Sequence, residues 1–323
     1  MGFKRYLAFR VTAAVATFFT SVVLTFMLFR LLPGDPTALF VDPELPPDVR
    51  ARAIQQLGLG EPVPQQFVTY IVGIFTGNLG TSFSFREPVW DVLSARIPNT
   101  LSLAIAAAII TFSSALLLGR YAGLREGKSV DRTLTAVVSA TGSMPLFVAG
   151  LLAIFIFAIE IPIFPFGLTH SISFSASGLE YYFSFDYLQH LMLPTLTLGV
   201  TNLIFYFLIV RNATVSVSHS DFVEYLRARG ASTSVIQRHI SRNILLPLST
   251  VIANYFAFAL GGQIVIETVF SWLGLGFTIV RAINGRDFPL AQGAFLLISL
   301  VAVVMMFISD LIYGLVDPRV RYR

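Results

Sequence analysis

Long apolar runs free of charge, separated by short polar segments, set the pattern of this chain. Six windows lacking Asp, Glu, Lys and Arg reach the ~20 residues a bilayer-crossing helix needs: 11–29, 97–119, 133–159, 187–210, 243–266 and 288–309. The pattern predicts an all-α membrane protein with six transmembrane helices. Two further charge-free stretches are not read as spans. Residues 62–85 contain Pro62, Pro64, Gln65, Gln66, Asn78 and three glycines, and 161–179 contain Pro162, Pro165 and a Ser-rich tail. Polar and helix-breaking residues make a lipid-exposed span costly, so both are read as interfacial or loop segments.

Lys4 and Arg5 ahead of the first window resemble the start of a signal peptide. The apolar run is 19 residues long and no small-residue cleavage site follows it, so it is read as a retained first helix. Composition agrees with a membrane class: 55% hydrophobic, 12% charged, mean hydropathy +0.75, against about 25% charged residues in soluble domains. The absence of cysteine excludes disulfides and thiolate metal sites. The net charge of +4 matters less than its placement. With the N-terminus inside, the N-terminal segment, the loop near 120–132, the segment 211–242 and the tail after 310 hold 15 of the 22 basic residues. The positive-inside bias therefore predicts an N-in/C-in topology.

The first external segment, 33–96, has its own pattern. Leu32-Pro33-Gly34-Asp35-Pro36 ends the first helix, Pro46-Pro47-Asp48 opens a short helix ending at Gly58, and Gln66 to Phe75 form an amphipathic stretch. A passive loop and a contact surface for an external partner are both open readings.

Residues 211–242 form a charged island between two apolar runs. Phe222 and Leu226 predict an apolar stripe on a first short helix, and Gly230 permits the left-handed turn that ends it. Ser232 or Ser234 can cap a second helix, Ser234 having Gln237 three residues on as a capping box. Ile236, Ile240 and Ile244 recur every four residues, and Pro247 is expected to bend the chain back into the bilayer. Such a basic, capped hairpin is either an ordinary surface loop or a docking surface for a soluble partner.

Glu224, Gly230 and Ile244-Leu245-Leu246-Pro247 resemble the EAA coupling motif of ABC importer permeases, and the wider frame resembles the B-type subunit of dipeptide/oligopeptide importers. The matches run along the chain: Leu32–Pro36, Leu79-Gly80-Thr81-Ser82, Pro98-Asn99-Thr100, Arg238-His239, Arg242-Asn243, Glu267 to Gly276, Arg286-Asp287-Phe288-Pro289 and Asp317 to Tyr322. Tyr225 and Leu226 stand where the general motif has two alanines, and 13 residues separate Gly230 from Ile244. The resemblance implies an ABC type I importer permease, one transmembrane domain over 1–323 with a coupling hairpin at 213–247. It implies a multi-pass protein of the prokaryotic plasma (inner) membrane. Its implied partners are a second permease, two cytoplasmic ATPases that bind ATP and magnesium, an extracytoplasmic solute-binding protein and a peptide substrate. Asp221, Glu224, Arg227, Arg229, Gly230, Arg238 and His239 are then the expected ATPase-coupling residues.

Other signals are weaker. Gly123-Leu-Arg-Glu-Gly127-Lys128-Ser129 superficially resembles a phosphate-binding loop, but it has three residues between its glycines instead of four and follows a membrane helix. No cofactor, catalytic residue or nucleic-acid partner is expected. His170, His190, His219 and His239 are scattered, so no metal site is expected either. Asn202, Asn254, Gln263 and Glu267 are polar residues in or at the ends of spans; they read either as helix–helix hydrogen bonders or as part of a translocation path or gate. The same architecture importing nickel or another small ligand is the nearest alternative. A secondary transporter or channel is the next, although no inverted repeat of broken helices is visible.

Overall fold

The computed structural model describes residues 3–30, 41, 46–56, 58–171 and 178–316, with side chains omitted at a few helix positions and at most positions of 245–262. Leu32–Pro36, Asp317–Tyr322 and the side chains of Leu245, Leu246, Pro247 and Asn254 lie outside the described residues. The described residues are almost entirely helix and turn, with one isolated antiparallel bridge between Thr81 and Pro88.

The first window lies in α1 (Phe3–Arg30). Two short helices follow in the segment that bears the Pro-rich signals. Helix α2 (Pro47–Gln56) starts on the expected proline, whose missing N–H is one the first turn would leave unpaired anyway. Helix α3 (Val63–Thr76) starts after Pro62 and closes on Gly77 at φ 75°. Its 14 residues rise about 21 Å, short of the ~30 Å hydrocarbon core. Helix α3 rests on α1 through Phe26, whose ring centroid lies 5.1 Å from Phe67 and 5.7 Å from Tyr70.

The second window forms α5 (Ile97–Ser114) and a π-helical stretch Ala115–Gly119, preceded by α4 (Val89–Ser94) and continued by the turn α6 (Arg120–Gly123). This rod lies directly on α10 (Phe185–Ser218). A Cβ at Gly119 would stand 2.9 Å from the Phe207 carbonyl, and one at Gly123 2.8 Å from that of Arg211. Only glycine lets the two backbones approach so closely.

The third window departs from a single span. It folds as α7 (Ser129–Gly142) and α8 (Leu146–Ile154, continued by a π-helical Phe155–Glu160), bent by 95° at Ser143-Met144-Pro145. Pro145 lacks a donor and pushes Met144 out of the helical region, so the break falls there. After the five-residue helix α9 (Leu179–Phe183) comes α10, with Ser184 as its N-cap accepting from Tyr187 N. Helix α10 extends eight residues past its apolar window.

The hairpin helix α11 (Asp221–Ala228) leads to α12 (Thr233–Val269), 37 residues without a break. The helix runs through Pro247 without interruption. In lipid an interrupted helix leaves backbone groups with no water to satisfy them, which favours carrying one missing N–H inside a continuous helix. Helices α13 (Leu275–Asn284) and α14 (Phe288–Val316) complete the described chain.

By length and composition Arg5–Arg30, Val89–Gly123, Phe185–Ser218 and Phe288–Ile308 can cross a membrane, and the bent α7–α8 pair forms either a broken fifth span or a re-entrant loop. The 243–266 window lies inside α12, where most side chains are not described. Helix α10 is central, packing on α5, α7 and α12, while α1 lies along α14. Apolar side chains such as Phe9, Leu24, Ile109, Leu117, Leu151 and Phe205 point outward and are exposed. At roughly 25 cal/mol per Å² of apolar surface, that arrangement suits hydrocarbon and not water.

Candidate functional site

The charged island forms one compact surface. Asp221 and Glu224 occupy the first turn of α11 and Arg227 its last, each favourable to the helix dipole. The helix closes with two backbone bonds: Gly230 N–H donates to Arg227 O at 2.9 Å and Ala231 N–H to Leu226 O at 3.0 Å. This is a Schellman closure, and it requires the left-handed φ of 74° that Gly230 adopts. Val223, Ile236 and Ile240 are buried beneath the turn, packed by Leu124, Val217, Leu226 and Ala231.

Two local expectations need correction. Val223, and not Phe222, carries the buried stripe with Leu226; Phe222 is 37% exposed and meets the His239 ring edge-on at 6.0 Å. In a helix of eight residues the i,i+3 and i,i+4 pairs are equally helical, so spacing alone does not choose between them. Helix α12 begins at Thr233, which places Ser232 at the N-cap and Ser234 inside the first turn, so no capping box forms. Ser232 Oγ lies 3.0 Å from Ser234 Oγ, and Gln237 accepts from Arg120 Nη2 at 3.4 Å. The three isoleucines behave as expected: Ile236, Ile240 and Ile244 are all buried. Asp221, Glu224, Arg227, Arg229, Gly230, Arg238 and His239 are all exposed.

The hairpin is anchored by a pair that sequence reasoning overlooked. Asp131, buried in the first turn of α7, receives Arg211 Nε and Nη2 at 2.6 Å each and Gly127 N–H at 2.9 Å. This two-pronged pairing is the strongest geometry a carboxylate and a guanidinium can adopt. It ties the loop 124–128 to the end of α10, from which the hairpin departs. His219 Nε2 adds a 2.9 Å contact to Glu126. A signal was present: Asp131 and Arg211 are opposite charges standing one or two residues outside two apolar windows.

The other end of α12 carries a second polar cluster. Glu267 is fully buried; Thr100 Oγ1 donates to its Oε1 at 2.8 Å and Phe277 N–H to its Oε2 at 3.0 Å. Gly274 and Gly276 flank the carboxyl so tightly that any Cβ there would strike it. The carboxyl thus sits against the first amides of α13, where a helix favours negative charge. Thr100 Oγ1 also accepts from Leu275 N–H at 2.8 Å, and Gln263 Nε2 donates to Thr100 O at 2.8 Å. Asn99 Nδ2 donates to Leu273 O at 2.8 Å, and Trp272 Nε1 donates to Asn99 O at 2.9 Å. Gln263 and Glu267 are therefore brought together, one turn apart, in contact with the Pro98-Asn99-Thr100 segment. Asn202 is elsewhere, half-buried on α10 on the side of Tyr255, and the Asn254 side chain lies outside the described residues. The motif at Arg286–Pro289 is used similarly: Asp287 accepts from Ser82 Oγ at 2.6 Å, Ser84 N–H at 2.9 Å and Leu290 N–H at 3.2 Å.

The chain is similar to known proteins along nearly its whole length. Residues 115–322 match the family model of binding-protein-dependent transport system inner membrane components, and residues 3–104 match the N-terminal model for membrane components of the same systems. The chain is 36% identical to a probable peptide ABC transporter permease of Sinorhizobium fredii, over 98% of this chain and 99% of the relative. It is 33% identical, with the same coverage, to a di/tripeptide transport system permease of Pseudomonas aeruginosa and to a glutathione transport system permease of Salmonella paratyphi A. An all-helical, lipid-facing chain matched along nearly its whole length by these models and relatives belongs to the inner-membrane permease components of binding-protein-dependent ABC transport systems.

Proposed function

We propose that this chain is the permease subunit of an ABC importer carrying oligopeptides or dipeptides across a prokaryotic inner membrane. Similarity over 98% of the chain to permeases of peptide systems is the observation that carries the cargo class; glutathione, itself a tripeptide, falls in the same class. The nickel alternative has no support among these relatives. The chain itself is not catalytic, because in this family ATP hydrolysis belongs to separate subunits.

In this reading six helices span the bilayer with both termini in the cytoplasm, and α11 with the start of α12 docks on an ATPase. A second permease, two ATPases holding ATP and magnesium, and an external solute-binding protein complete the assembly. Asp221, Glu224, Arg227, Arg229, Arg238 and His239 supply the polar contacts of the docking surface. The exposure of all of them above a closed apolar seat supports that role. Transmission follows from the continuity of α12. Its 37 residues extend about 55 Å, joining the hairpin to the Glu267 cluster in one element. A hairpin displaced by its ATPase therefore carries the α12–α13 junction with it, as a rigid-body switch requires. Asn202, Asn254, Gln263 and Glu267 remain our candidates for the path or gate, with Gln263 and Glu267 held at the far end of this lever.

Reconstitution of the chain with its partner permease and two ATPases tests the cargo. ATP-dependent uptake of a labelled dipeptide in proteoliposomes containing the binding protein is expected; uptake of nickel in its place would overturn the assignment. Replacing Gly230 with valine tests the coupling. A Cβ at Gly230 meets no atom within 4 Å, so the penalty is conformational, about 1–2 kcal/mol for a left-handed residue and more when β-branched. The variant is expected to insert normally and to lose at least about tenfold in uptake, given that cost. Gly230→Asn, which tolerates this φ, should retain more activity, and wild-type uptake by the valine variant would refute the coupling role. The Gly123–Ser129 loop is expected to bind no nucleotide, since Gly127 N–H already donates to Asp131 and the amides of Leu124, Arg125 and Lys128 donate to nearby backbone carbonyls. Calorimetry of the purified chain with ATP and magnesium checks this, and saturable heat would contradict it.

A further inference from the structure

Between the loop Gly123–Lys128 and the hairpin lies a cleft of about 540 Å³. Its walls carry Arg125, Lys128 and Arg227, with Glu126 as the one acidic side chain and His219 bonded to it. The remaining lining is short and polar or apolar, including Thr233 and Gln237. Ser218 Oγ, at the cleft wall, is buried from solvent and has no hydrogen-bond partner among the described residues. Arg125 is stacked on Tyr121, with its Cζ 3.8 Å from the ring centroid, and gives one N–H to the Tyr121 carbonyl at 3.4 Å. That stacking holds a guanidinium in place while leaving further donors for an anion. A cleft of this size with an excess of cationic groups and an unsatisfied hydroxyl favours a compact oxyanion.

Depth points to its source. Helix α6 ends four residues beyond its apolar window and α10 eight residues beyond, about 6 and 12 Å along a helix axis. The headgroup layer occupies the first 5–8 Å or so outside the hydrocarbon, so the cleft opens at its outer edge. We infer that this cleft binds a phosphate group, that of an anionic phospholipid, and so ties the coupling hairpin to the membrane surface. Its placement depends only on α5 and α10 spanning the bilayer, not on the cargo or on which ATPase docks.

The test uses the full-length chain, delipidated in neutral detergent, and native mass spectrometry with added lipid. The double variant Arg125→Gln/Lys128→Gln changes one half-buried and one exposed side chain, both outside the expected coupling set; Arg242→Gln, exposed and outside the cleft, is the control. Phosphatidylglycerol is expected to bind in preference to phosphatidylcholine. The double variant should weaken that binding about thirtyfold, roughly fivefold per basic side chain, and the control should not. Inorganic phosphate forms a separate arm: if it binds alone and is lost equally in the double variant, the site stands with free phosphate as its ligand. Equal binding of both lipids, or anion binding indifferent to the double variant, overturns the proposal. Circular dichroism of each variant separates loss of the site from loss of the fold.

Discussion

Replacing Asp131 with alanine is expected to destabilise the folded protein by about 3 kcal/mol, the lower end for breaking a buried ion pair from one side. The lower end applies because the two partners differ in exposure: the Asp131 side chain is 3% exposed and that of Arg211 22%, so water partly compensates the arginine. The loss has three parts. Arg211 keeps its charge without its two 2.6 Å acceptors, Gly127 N–H loses its acceptor, and α7 loses an acidic residue in its first turn. Asp131→Asn is expected to fall between, since it keeps the shape but not the charge. The double variant Asp131→Ala/Arg211→Met should recover part of the loss, because no uncompensated cation remains. Thermal unfolding in detergent, followed by circular dichroism, reads all three. If Asp131→Ala and wild type unfold together, the pair does not anchor the loop to α10. Uptake should fall with stability, because the hairpin leaves α10 only two turns beyond Arg211.

What the sequence made legible was the set of long apolar elements and the organisation of the island. Charge-free windows locate helices because lipid forbids unpaired backbone groups, and that constraint acts locally. Gly230 was legible for the same local reason: a left-handed closure needs a residue without a side chain. The bend in the third window was not legible, because a count of apolar residues does not register Ser143-Met144-Pro145, where the chain turns by 95°. Continuity through Pro247 was not legible either, since a proline that would break a soluble helix lies inside α12. The Asp131–Arg211 and Thr100–Glu267 pairs join positions 80 and 167 residues apart. Neither partner reveals the other until α10 is laid on α7 and α12 on α5. Pro98-Asn99-Thr100 and Glu267–Gly276 stood out as separate motifs, yet their joint role is visible only from the bonds that connect them.

Those bonds make Glu267 the residue whose loss should be felt most at the far end of α12. Truncation to alanine removes the acceptor for Thr100 Oγ1 and Phe277 N–H and empties a space walled by Gly274 and Gly276. Each buried donor left unpaired costs about 1–3 kcal/mol, and the cavity adds to this. A total of about 3–5 kcal/mol is expected for Glu267→Ala. Glu267→Gln isolates the chemistry from the volume. Its amide supplies one acceptor oxygen and one NH₂, so either Thr100 Oγ1 or Phe277 N–H faces a donor. Rotating the threonine hydroxyl does not resolve the conflict cheaply: Oγ1 can accept from the amide as well as from Leu275 N–H, but its own O–H then loses its acceptor. The glutamine variant should therefore lose about 1–3 kcal/mol with no cavity formed. Thr100→Val, which removes the same hydroxyl from the other side, should be nearly as costly as Glu267→Gln. Combining the two should cost less than the sum of the single changes, since both break one bond. Unfolding midpoints of the four proteins in one detergent measure this coupling, and strict additivity would show that the α12–α13 junction is not held to α5 through this carboxyl.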